Sequence, residues 1–374
     1  MDMGERVSPL RATLTTTFSD TLPPLLRRAA AFYSIPAFHL RGRCYDASMK
    51  ILWCCLLLAG PLGRVYAEEP TPVLPEMHWA DESSCRPYSK DPSVIRFGDG
   101  YLMYYSLPGP QNGIAGWSIG IASSKDLVNW KNVGSVKPGQ DCDKKGLAAP
   151  AAWVRDGKVH LFYQTYGNGP KDAICHAWSR DGLNFTRNPE NPVFAPTGAW
   201  TVGRAIDAEV FPVGDKLFLW FATRDPAMKV QMQGVAAAPL YSDYGKKQWQ
   251  QLGDGPILKP ELPWEKDCIE AASVMKRDGK LWMFYAGGYN NEPQQIGVAS
   301  STDGIHWKRV SDQPLIPNGK PGTWNSSESG HPGVFNDSDG STHLFYQGNN
   351  DKGKTWYLSK ARIIWKDGLP VAQP

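Results

Sequence analysis

The pattern of apolar and polar positions repeats five times along the chain, at an interval of about sixty residues. Each copy has a polar or small first residue, an apolar stretch, a turn containing Asp or Gly, and a second stretch rich in aromatic residues. The copies are DPSVIRFGDGYLMYYS from Asp91, APAAWVRDGKVHLFYQ from Ala149, DAEVFPVGDKLFLWFA from Asp207, EAASVMKRDGKLWMFYA from Glu270 and HPGVFNDSDGSTHLFYQ from His331. Their starts lie 58, 58, 63 and 61 residues apart, which indicates a tandem repeat.

Each copy predicts a β-hairpin, because β-branched and aromatic residues flank a turn such as Asp99-Gly100 or Asp278-Gly279. Further strand follows each hairpin, for example SIGIA from Ser118 and QIGVA from Gln295. Three or four strands in every sixty residues predict an all-β fold, a five-bladed β-propeller that extends from Asp91 to about residue 365. A two-sheet sandwich is the alternative, but a sandwich does not require five similar units.

A second apolar pattern lies near the start of the sequence. Met49-Lys50 is followed by the apolar residues 51–60 and then by Val65-Tyr66-Ala67, a small-residue cleavage site. This order is typical of a signal peptide, and the apolar run is too short to span a bilayer. The sequence therefore predicts a secreted or periplasmic protein with no membrane span.

These features predict the division of the chain. Residues 1–48 are interpreted as an upstream extension, with Met49 as the true initiator, and residues 49–67 as the signal peptide. Residues 68–374 then form one propeller domain, in which the segment 68–90 packs beside the last blade and helps to close the ring.

The net charge of the chain limits the class of molecules that the protein is expected to bind. The first 67 residues hold 8 of the 40 Lys and Arg and 4 of the 37 Asp and Glu, so the remainder is close to neutral. A neutral chain has no basic field to collect nucleic acid or an anionic membrane surface. We expect a neutral oligosaccharide or polysaccharide as partner, and a monomer.

The candidate chemistry lies at the first residue of each repeat. The innermost strands of a propeller run along its central channel, so the five first residues are expected to meet at one mouth: Asp91, Ala149, Asp207, Glu270 and His331. Any one such Asp could simply cap a turn. Three acids at one position of a closed ring favour a functional site instead.

Three converging carboxyl groups suit the hydrolysis of a glycosidic bond. That reaction needs one protonated carboxyl for the leaving oxygen and one carboxylate that activates water or attacks the sugar. Glu270 is the candidate acid, because Ala271-Ala272 follow it and an ionised Asp207 would raise its pKa. Asp91, across the ring, is the candidate base.

These segments resemble glycoside hydrolase family 43, the five-bladed inverting enzymes that act mainly on arabinose- and xylose-containing polysaccharides. The similarity covers nearly all of the chain after the signal peptide. The segments that carry it are Asp91-Pro92-Ser93-Val94, Ala149-Pro150, Ile206-Asp207 with Val210-Phe211, Ile269-Glu270 and Ser329-Gly330-His331. The chain departs from the family at Glu270-Ala271-Ala272, where Glu-Gly-Pro is commoner, and in blade 2, which has Ala-Ala-Pro rather than Trp-Ala-Pro.

The resemblance implies a role for each residue. Asp91 would be the general base, Glu270 the general acid, and Asp207 the residue that orients the acid and tunes its pKa. His331 would bind water or a structural calcium ion in the channel, with no cofactor required. The implied activity is the release of terminal α-L-arabinofuranosides or β-xylosides, and the departures leave the sugar open, including galactofuranoside and algal anhydrogalactoside.

Related families fit less well. Family 32 enzymes open with Trp-Met-Asn-Asp-Pro-Asn-Gly, for which this chain has only Lys90-Asp91-Pro92, and Arg224-Asp225-Pro226 falls after its hairpin. Family 130 phosphorylases would need a basic cluster for phosphate, and the sequence shows only scattered Arg and Lys. Family 117 enzymes place a catalytic His shortly before the acid of blade 4, where this chain has none.

Residues in the loops between hairpins are candidates for binding sugar. The faces of Trp117, Trp264 and Trp324 could stack on a sugar ring, although most of the 15 Trp are expected to pack between blades. Arg204 could bind a hydroxyl or pair with a carboxylate. A non-catalytic sugar-binding propeller remains the rival from another class, and a sialidase would need an Arg triad and a Tyr–Glu pair that the sequence does not show.

Overall fold

The computed structural model describes residues 74–109, 116–139 and 141–373. The predicted extension and signal peptide lie outside the described residues. Strands alternate with short turns, and two 3₁₀ turns lie at Gly169–Lys171 and Lys246–Gln248. The strands are β1 Lys90–Phe97, β2 Gly100–Leu107, β3 Ser118–Ser124, β4 Lys131–Val136, β5 Leu147–Arg155, β6 Lys158–Thr165, β7 Ile174–Ser179, β8 Thr186–Arg187, β9 Ile206–Val213, β10 Lys216–Arg224, β11 Gln231–Pro239, β12 Gln250–Gln251, β13 Ile269–Arg277, β14 Lys280–Gly287, β15 Gln295–Ser301, β16 Lys308–Arg309, β17 Glu328–Asn336, β18 Thr342–Asn349, β19 Tyr357–Lys366 and β20 Leu369–Gln373.

These strands form five antiparallel sheets, each with four strands in chain order. The first strand of each sheet contacts the first strands of its neighbours, so β1, β5, β9, β13 and β17 form the inner ring. The protein is a five-bladed β-propeller, as the repeat predicts. Its apolar core lies between successive blades, where aromatic residues of the second strands, such as Phe162 and Trp220, are fully buried.

Every inner strand carries a β-bulge at the same place. The pairing with the second strand skips two residues in each blade, and the first of the two has a positive φ: Asp91 (54°), Ala149 (47°), Asp207 (49°), Ala271 (52°) and His331 (44°). L-residues pay about 1 kcal/mol or more for this conformation. The bulge turns the strand at the channel wall and aims the side chain at that position inwards.

The bulge corrects one expectation from the sequence. Glu270 does not share the position of Asp91, Asp207 and His331, because Ala271 occupies it in blade 4. Glu270 lies one residue earlier, at the position of Lys90 in blade 1. Aligning the five repeats by sequence does not reveal the offset, because a two-residue bulge leaves no signal in an apolar pattern.

Hydrogen bonds between neighbouring blades stabilise the strained positions. In three blades a side chain of the second strand accepts the backbone N–H of the bulge residue in the next blade. The pairs are Ser106 with Ala149 (2.7 Å), Gln164 with Asp207 (2.8 Å) and Gln347 with Asp91 (3.0 Å). The last pair joins blade 5 to blade 1 and so closes the ring.

A second set of bonds between blades lies two residues further along the inner strands. Ser93 accepts the N–H of Ala152 (2.9 Å), Glu209 that of Val274 (2.7 Å) and Ser273 that of Val334 (2.9 Å). These residues line the central channel, a cavity of about 390 Å³ that also borders Asp91 and Asp207. Burial raises the pKa of Glu209 to about 8.

The segment before the first blade packs on the last one. Trp79 pairs with Leu358 through two backbone hydrogen bonds of 3.0 and 2.8 Å, and Tyr88 forms a bridge with Trp356. The predicted packing of this segment beside blade 5 is confirmed for its described residues. Within the described part of the chain, no helix is long and apolar enough to cross a membrane.

The seam between blades 5 and 1 can be tested at Gln347, which is fully buried and also donates to Glu328 (2.8 Å). Gln347→Ala leaves the N–H of Asp91 and one oxygen of Glu328 without partners, which costs about 1–3 kcal/mol for each buried group. We expect urea unfolding to show a loss of at least about 2 kcal/mol. The matched control Gln313→Ala, in an exposed loop, should leave the free energy of unfolding unchanged, and equal stability of both variants would contradict the seam.

Candidate active site

The acids meet in a pocket of about 420 Å³ at one mouth of the channel. Here it is called the acidic pocket. All four predicted polar residues line it: Asp91, Asp207, Glu270 and His331. The prediction that residues from blades 1, 3, 4 and 5 share one pocket is therefore met by the structure.

His331 lies between two of the carboxyl groups. Its Nδ1 is 2.8 Å from Oδ1 of Asp91, and its Nε2 is 2.9 Å from Oε1 of Glu270. Burial would favour the neutral ring, but the two carboxylates raise the pKa of His331 well above its usual value. The imidazole is therefore an imidazolium that separates the two acids by its own width.

Asp91 is the ionised acid of the pocket. Burial alone would raise its pKa, but the positive charges of His331 and Lys90 and the hydrogen bonds to its carboxylate hold the pKa well below the usual range. A carboxylate in this state accepts protons and does not donate them. Asp91 thus has the charge that a general base requires.

Glu270 accepts hydrogen bonds from several N–H donors. Gln294 donates at 2.7 Å, Asn290 at 3.3 Å, His331 at 2.9 Å, and Gln231 donates to the other oxygen. Burial opposes the charge, but the contact with His331 outweighs it and the pKa of Glu270 is lowered. The expectation of an apolar setting and a raised pKa is wrong for this state of the pocket, because amide groups from blades 3 and 4 surround the carboxylate.

Asp207 holds the proton instead. Its side chain is buried, one carboxyl oxygen has no hydrogen-bond partner, and burial together with the charge of Glu270 raises its pKa to about 7. One atom of each of Asp207, Glu270 and His331 lies within 4.8 Å of the others. Asp207 and Glu270 therefore titrate as a pair that holds one proton near neutral pH.

The same contacts bear on the calcium ion expected beside His331. Both ring nitrogens of His331 face carboxylates, at 2.8 Å from Asp91 and 2.9 Å from Glu270. One ligand atom of each of Asp207, Glu270 and His331 lies within 4.8 Å of the others, a spacing that could hold a metal ion, and carboxylate oxygens are ligands that Ca²⁺ takes. The calcium ion near His331 stays a prediction.

The predicted sugar-binding residues divide into two groups. Trp117 and Arg204 line the acidic pocket. Trp264 and Trp324 do not line it: Trp264 packs on Tyr285, with ring centroids 5.9 Å apart, and Trp324 packs on Tyr346 at 5.7 Å. The structure therefore places these two indoles in the packing of blades 4 and 5.

Several residues of the pocket were not predicted from the sequence. Lys90, Arg224 and Lys352 line it together with Arg204, so cations that appear scattered in the sequence border one pocket. The Arg224-Asp225-Pro226 segment was interpreted as an ordinary loop, but Arg224 is the last residue of β10 and reaches the pocket. Lys90 directly precedes Asp91, and this adjacency was the available signal.

Comparisons with known proteins agree with this geometry. The family model described as Glycosyl hydrolases family 43 matches residues 86–370. Among solved structures, an alpha-L-arabinofuranosidase from Lactobacillus brevis has a TM-score of 0.60 at 18% identity, covering 76% of this chain and 93% of that chain. An endo-1,4-beta-xylanase from Bacteroides thetaiotaomicron has a TM-score of 0.59 at 21% identity, covering 76% and 94%. At these identities the two structures show the fold alone.

A curated relative is more distant. The chain is 26% identical over 189 residues to a rice (Oryza sativa subsp. indica) beta-fructofuranosidase, insoluble isoenzyme 2, covering 44% of this chain and 30% of the rice protein. The match thus spans less than a third of the rice enzyme's length. The family match covers most of the chain, and the chain belongs to glycosyl hydrolases family 43.

The proton on Asp207 can be measured by infrared spectroscopy of the carboxyl groups. Burial and the charge of Glu270 disfavour the ionised form, so Asp207 should stay protonated at pH 5 and lose its proton as the pH rises through about 7. The difference spectrum between the parent and Asp207→Asn should show this carboxylic acid band. The exposed Asp254→Asn is the control and should leave the band in place. A band that disappears near pH 4 would contradict the raised pKa.

Proposed function

We propose that the protein is a secreted, inverting glycoside hydrolase that releases terminal pentoses, as α-L-arabinofuranosides or β-xylosides, from oligosaccharides or polysaccharides. The observation that carries the proposal is the pair of carboxyls, Asp91 and Glu270, on opposite sides of the His331 ring. An ionised base and a proton-holding acid pair in one pocket are the groups that glycosidic hydrolysis needs.

Asp91 acts on the attacking water. Because its pKa lies well below the usual range, it is ionised near neutral pH, and it can accept a proton from water as the oxygen approaches the anomeric carbon. The imidazolium ring of His331 keeps Asp91 and Glu270 apart. Such a gap leaves room for water between base and sugar, and carboxyls about 6.5–9.5 Å apart are typical of inversion.

Glu270 and Asp207 supply the proton for the leaving oxygen. In the pocket without substrate, Asp207 carries the proton. Glu270 is the member of the acid pair whose carboxylate accepts hydrogen bonds from polar side chains. Glu270 delivers the proton to the leaving oxygen after it passes from Asp207, a transfer between groups only 4.8 Å apart at most. Asp207 is thus a positioning residue that stores the proton and sets the pKa of the pair.

The names of structurally similar proteins support the assignment of a pentose as the released sugar. Two proteins of similar structure are named as an arabinofuranosidase and an endo-xylanase. The acidic pocket is small, and the indole of Trp117 on its wall can stack on the apolar face of one sugar ring. A galactofuranoside or an anhydrogalactoside is the alternative substrate.

A screen of chromogenic glycosides tests the activity. We expect release from an α-L-arabinofuranoside or a β-xyloside, and proton NMR should show the inverted anomer of the sugar first. The kcat/KM should fall as the pH rises through about 7, because the acid pair then loses its proton. Initial retention of configuration would remove the assigned roles of Asp91 and Glu270.

Variants of the two acids separate chemistry from binding. Glu270→Gln and Asp91→Asn should each lower kcat by about 10²–10⁴, the usual contribution of a general acid or base, while substrate binding persists. Asp254→Asn, in an exposed loop, is the matched control and should keep the parent's kcat. Unchanged hydrolysis by Glu270→Gln would exclude it as the acid, and a parent that binds but never cleaves would favour the non-catalytic propeller.

Export is the remaining part of the proposal, and it rests on the apolar segment at residues 51–60 and on Val65-Tyr66-Ala67. The protein recovered outside the cytoplasm is expected to begin at or near Glu68. Mass spectrometry of its N-terminal peptide checks this position. Recovery of residues 1–48 in the exported protein would contradict both the cleavage site and Met49 as initiator.

A further inference from the structure

Two arginine side chains converge on one neutral oxygen in the wall of the acidic pocket. Arg224 Nε lies 2.9 Å and Arg204 Nη1 lies 3.4 Å from Oε1 of Gln231. Both guanidinium groups line the pocket. Like charges so close together repel each other, and the amide oxygen between them supplies a dipole but no negative charge.

The acids nearby neutralise the pair only in part. The carboxylate of Asp172 is 3.8 Å from Nε of Arg204, and that nitrogen is buried without a hydrogen-bond partner. Burial raises the pKa of Asp172, and the charge of Arg204 offsets this only in part. Arg224 makes one long contact with the carbonyl oxygen of Met228 (3.5 Å) and lies over the ring of Tyr289 at 5.0 Å.

Two other cations add to the positive charge around the pocket. Lys90 reaches the pocket and donates to Asn290 (2.6 Å), and Lys352 lies exposed at its edge. The charge of Lys90 is shared with Asp91 and Glu328, which raise its pKa. Among the described residues, Arg224 thus has no carboxylate within 4 Å, and Arg204 has only the 3.8 Å contact with Asp172.

The position of the pair relates it to the leaving group. Gln231 accepts from both arginines through Oε1 and donates through Nε2 to Glu270. Glu270 is the proposed donor to the leaving oxygen, whereas the attacking water belongs to Asp91. The side chain of Gln231 thus links the two arginines to Glu270, which lies on the leaving-group side of the reaction.

We propose that Arg204 and Arg224 form a subsite for an oxyanion, a carboxylate or a sulfate ester, on the sugar that leaves when the pentose is released. The planar fork of a guanidinium matches such groups with two parallel hydrogen bonds. This inference rests on the proposed hydrolysis and deepens it: the substrate is an acidic glycan in which the released sugar is attached to a charged one.

Calorimetry with D-glucuronate and D-glucose tests the subsite, because the two sugars differ only in a carboxylate against a hydroxymethyl group. At constant ionic strength we expect the parent to bind glucuronate at least tenfold more tightly than glucose, and to bind inorganic sulfate. Arg204→Gln and Arg224→Gln should each reduce this preference about tenfold. Arg180→Gln, at an exposed turn, is the matched control and should keep it.

Conservative variants guard against simple misfolding. Arg204→Lys and Arg224→Lys keep the charge and lose the fork, so an intermediate preference in proteins with the parent's melting temperature supports the subsite. Equal binding of the two sugars by the parent, binding of neither, or a preference that survives the double Gln variant would overturn it.

Activity separates this inference from the proposed function. A parent that hydrolyses neutral glycosides but shows no preference for glucuronate overturns the subsite alone. A parent that prefers glucuronate through both arginines but cleaves no glycoside supports the oxyanion site and removes the hydrolase assignment. Release of a sugar 1-phosphate in phosphate buffer would show that phosphate oxygen, not water, bonds to the anomeric carbon, and would overturn the leaving-group assignment.

Discussion

The active site depends on a backbone constraint, the bulge that recurs in every inner strand. Five residues with positive φ line one level of the channel, and three of them are Asp91, Asp207 and His331. Each such residue costs about 1 kcal/mol or more, and at Asp91, Ala149 and Asp207 a hydrogen bond from the preceding blade offsets the cost. Because these bonds cross from blade to blade, the positions of Asp91 and Asp207 depend on contacts between blades.

Electrostatics then assigns different states to three similar carboxyl groups. His331 carries a charge that lowers the pKa of Asp91 and of Glu270 at once, since it lies between them. Asp207 lies near their negative charge, receives less compensation, and keeps a proton up to about pH 7. Contact with the imidazolium therefore determines which two carboxyls are ionised, and the third, Asp207, keeps the proton.

The sequence predicted the features that depend on residues close together in the chain. Alternating apolar residues around Asp-Gly turns predicted the hairpins, and their regular spacing predicted five blades. Asp91, Asp207, Glu270 and His331 were found because they begin similar segments. The offset of Glu270 was missed because the bulge depends on pairing with β14, and its lowered pKa was missed because Gln231 and Gln294 come from different blades.

Loop residues were predicted least well, since nothing in the sequence fixes whether a loop side chain turns inwards. Trp264 and Trp324 resemble Trp117 in their setting along the chain, but only Trp117 reaches the pocket. Arg204 and Arg224 are 20 residues apart and were judged separately. Their meeting at Gln231 requires the hairpin β10–β11 to bring the end of one strand beside the start of the next.

The bulge also makes the channel wall modular. In three blades, the backbone N–H of the bulge residue donates a hydrogen bond to the neighbouring blade. Because this contact uses the backbone, the fold does not require a particular side chain there. Ala149 and Ala271 show that a methyl group is sufficient. New chemistry could therefore arise by single replacements at these two alanines, with the architecture of the ring left intact.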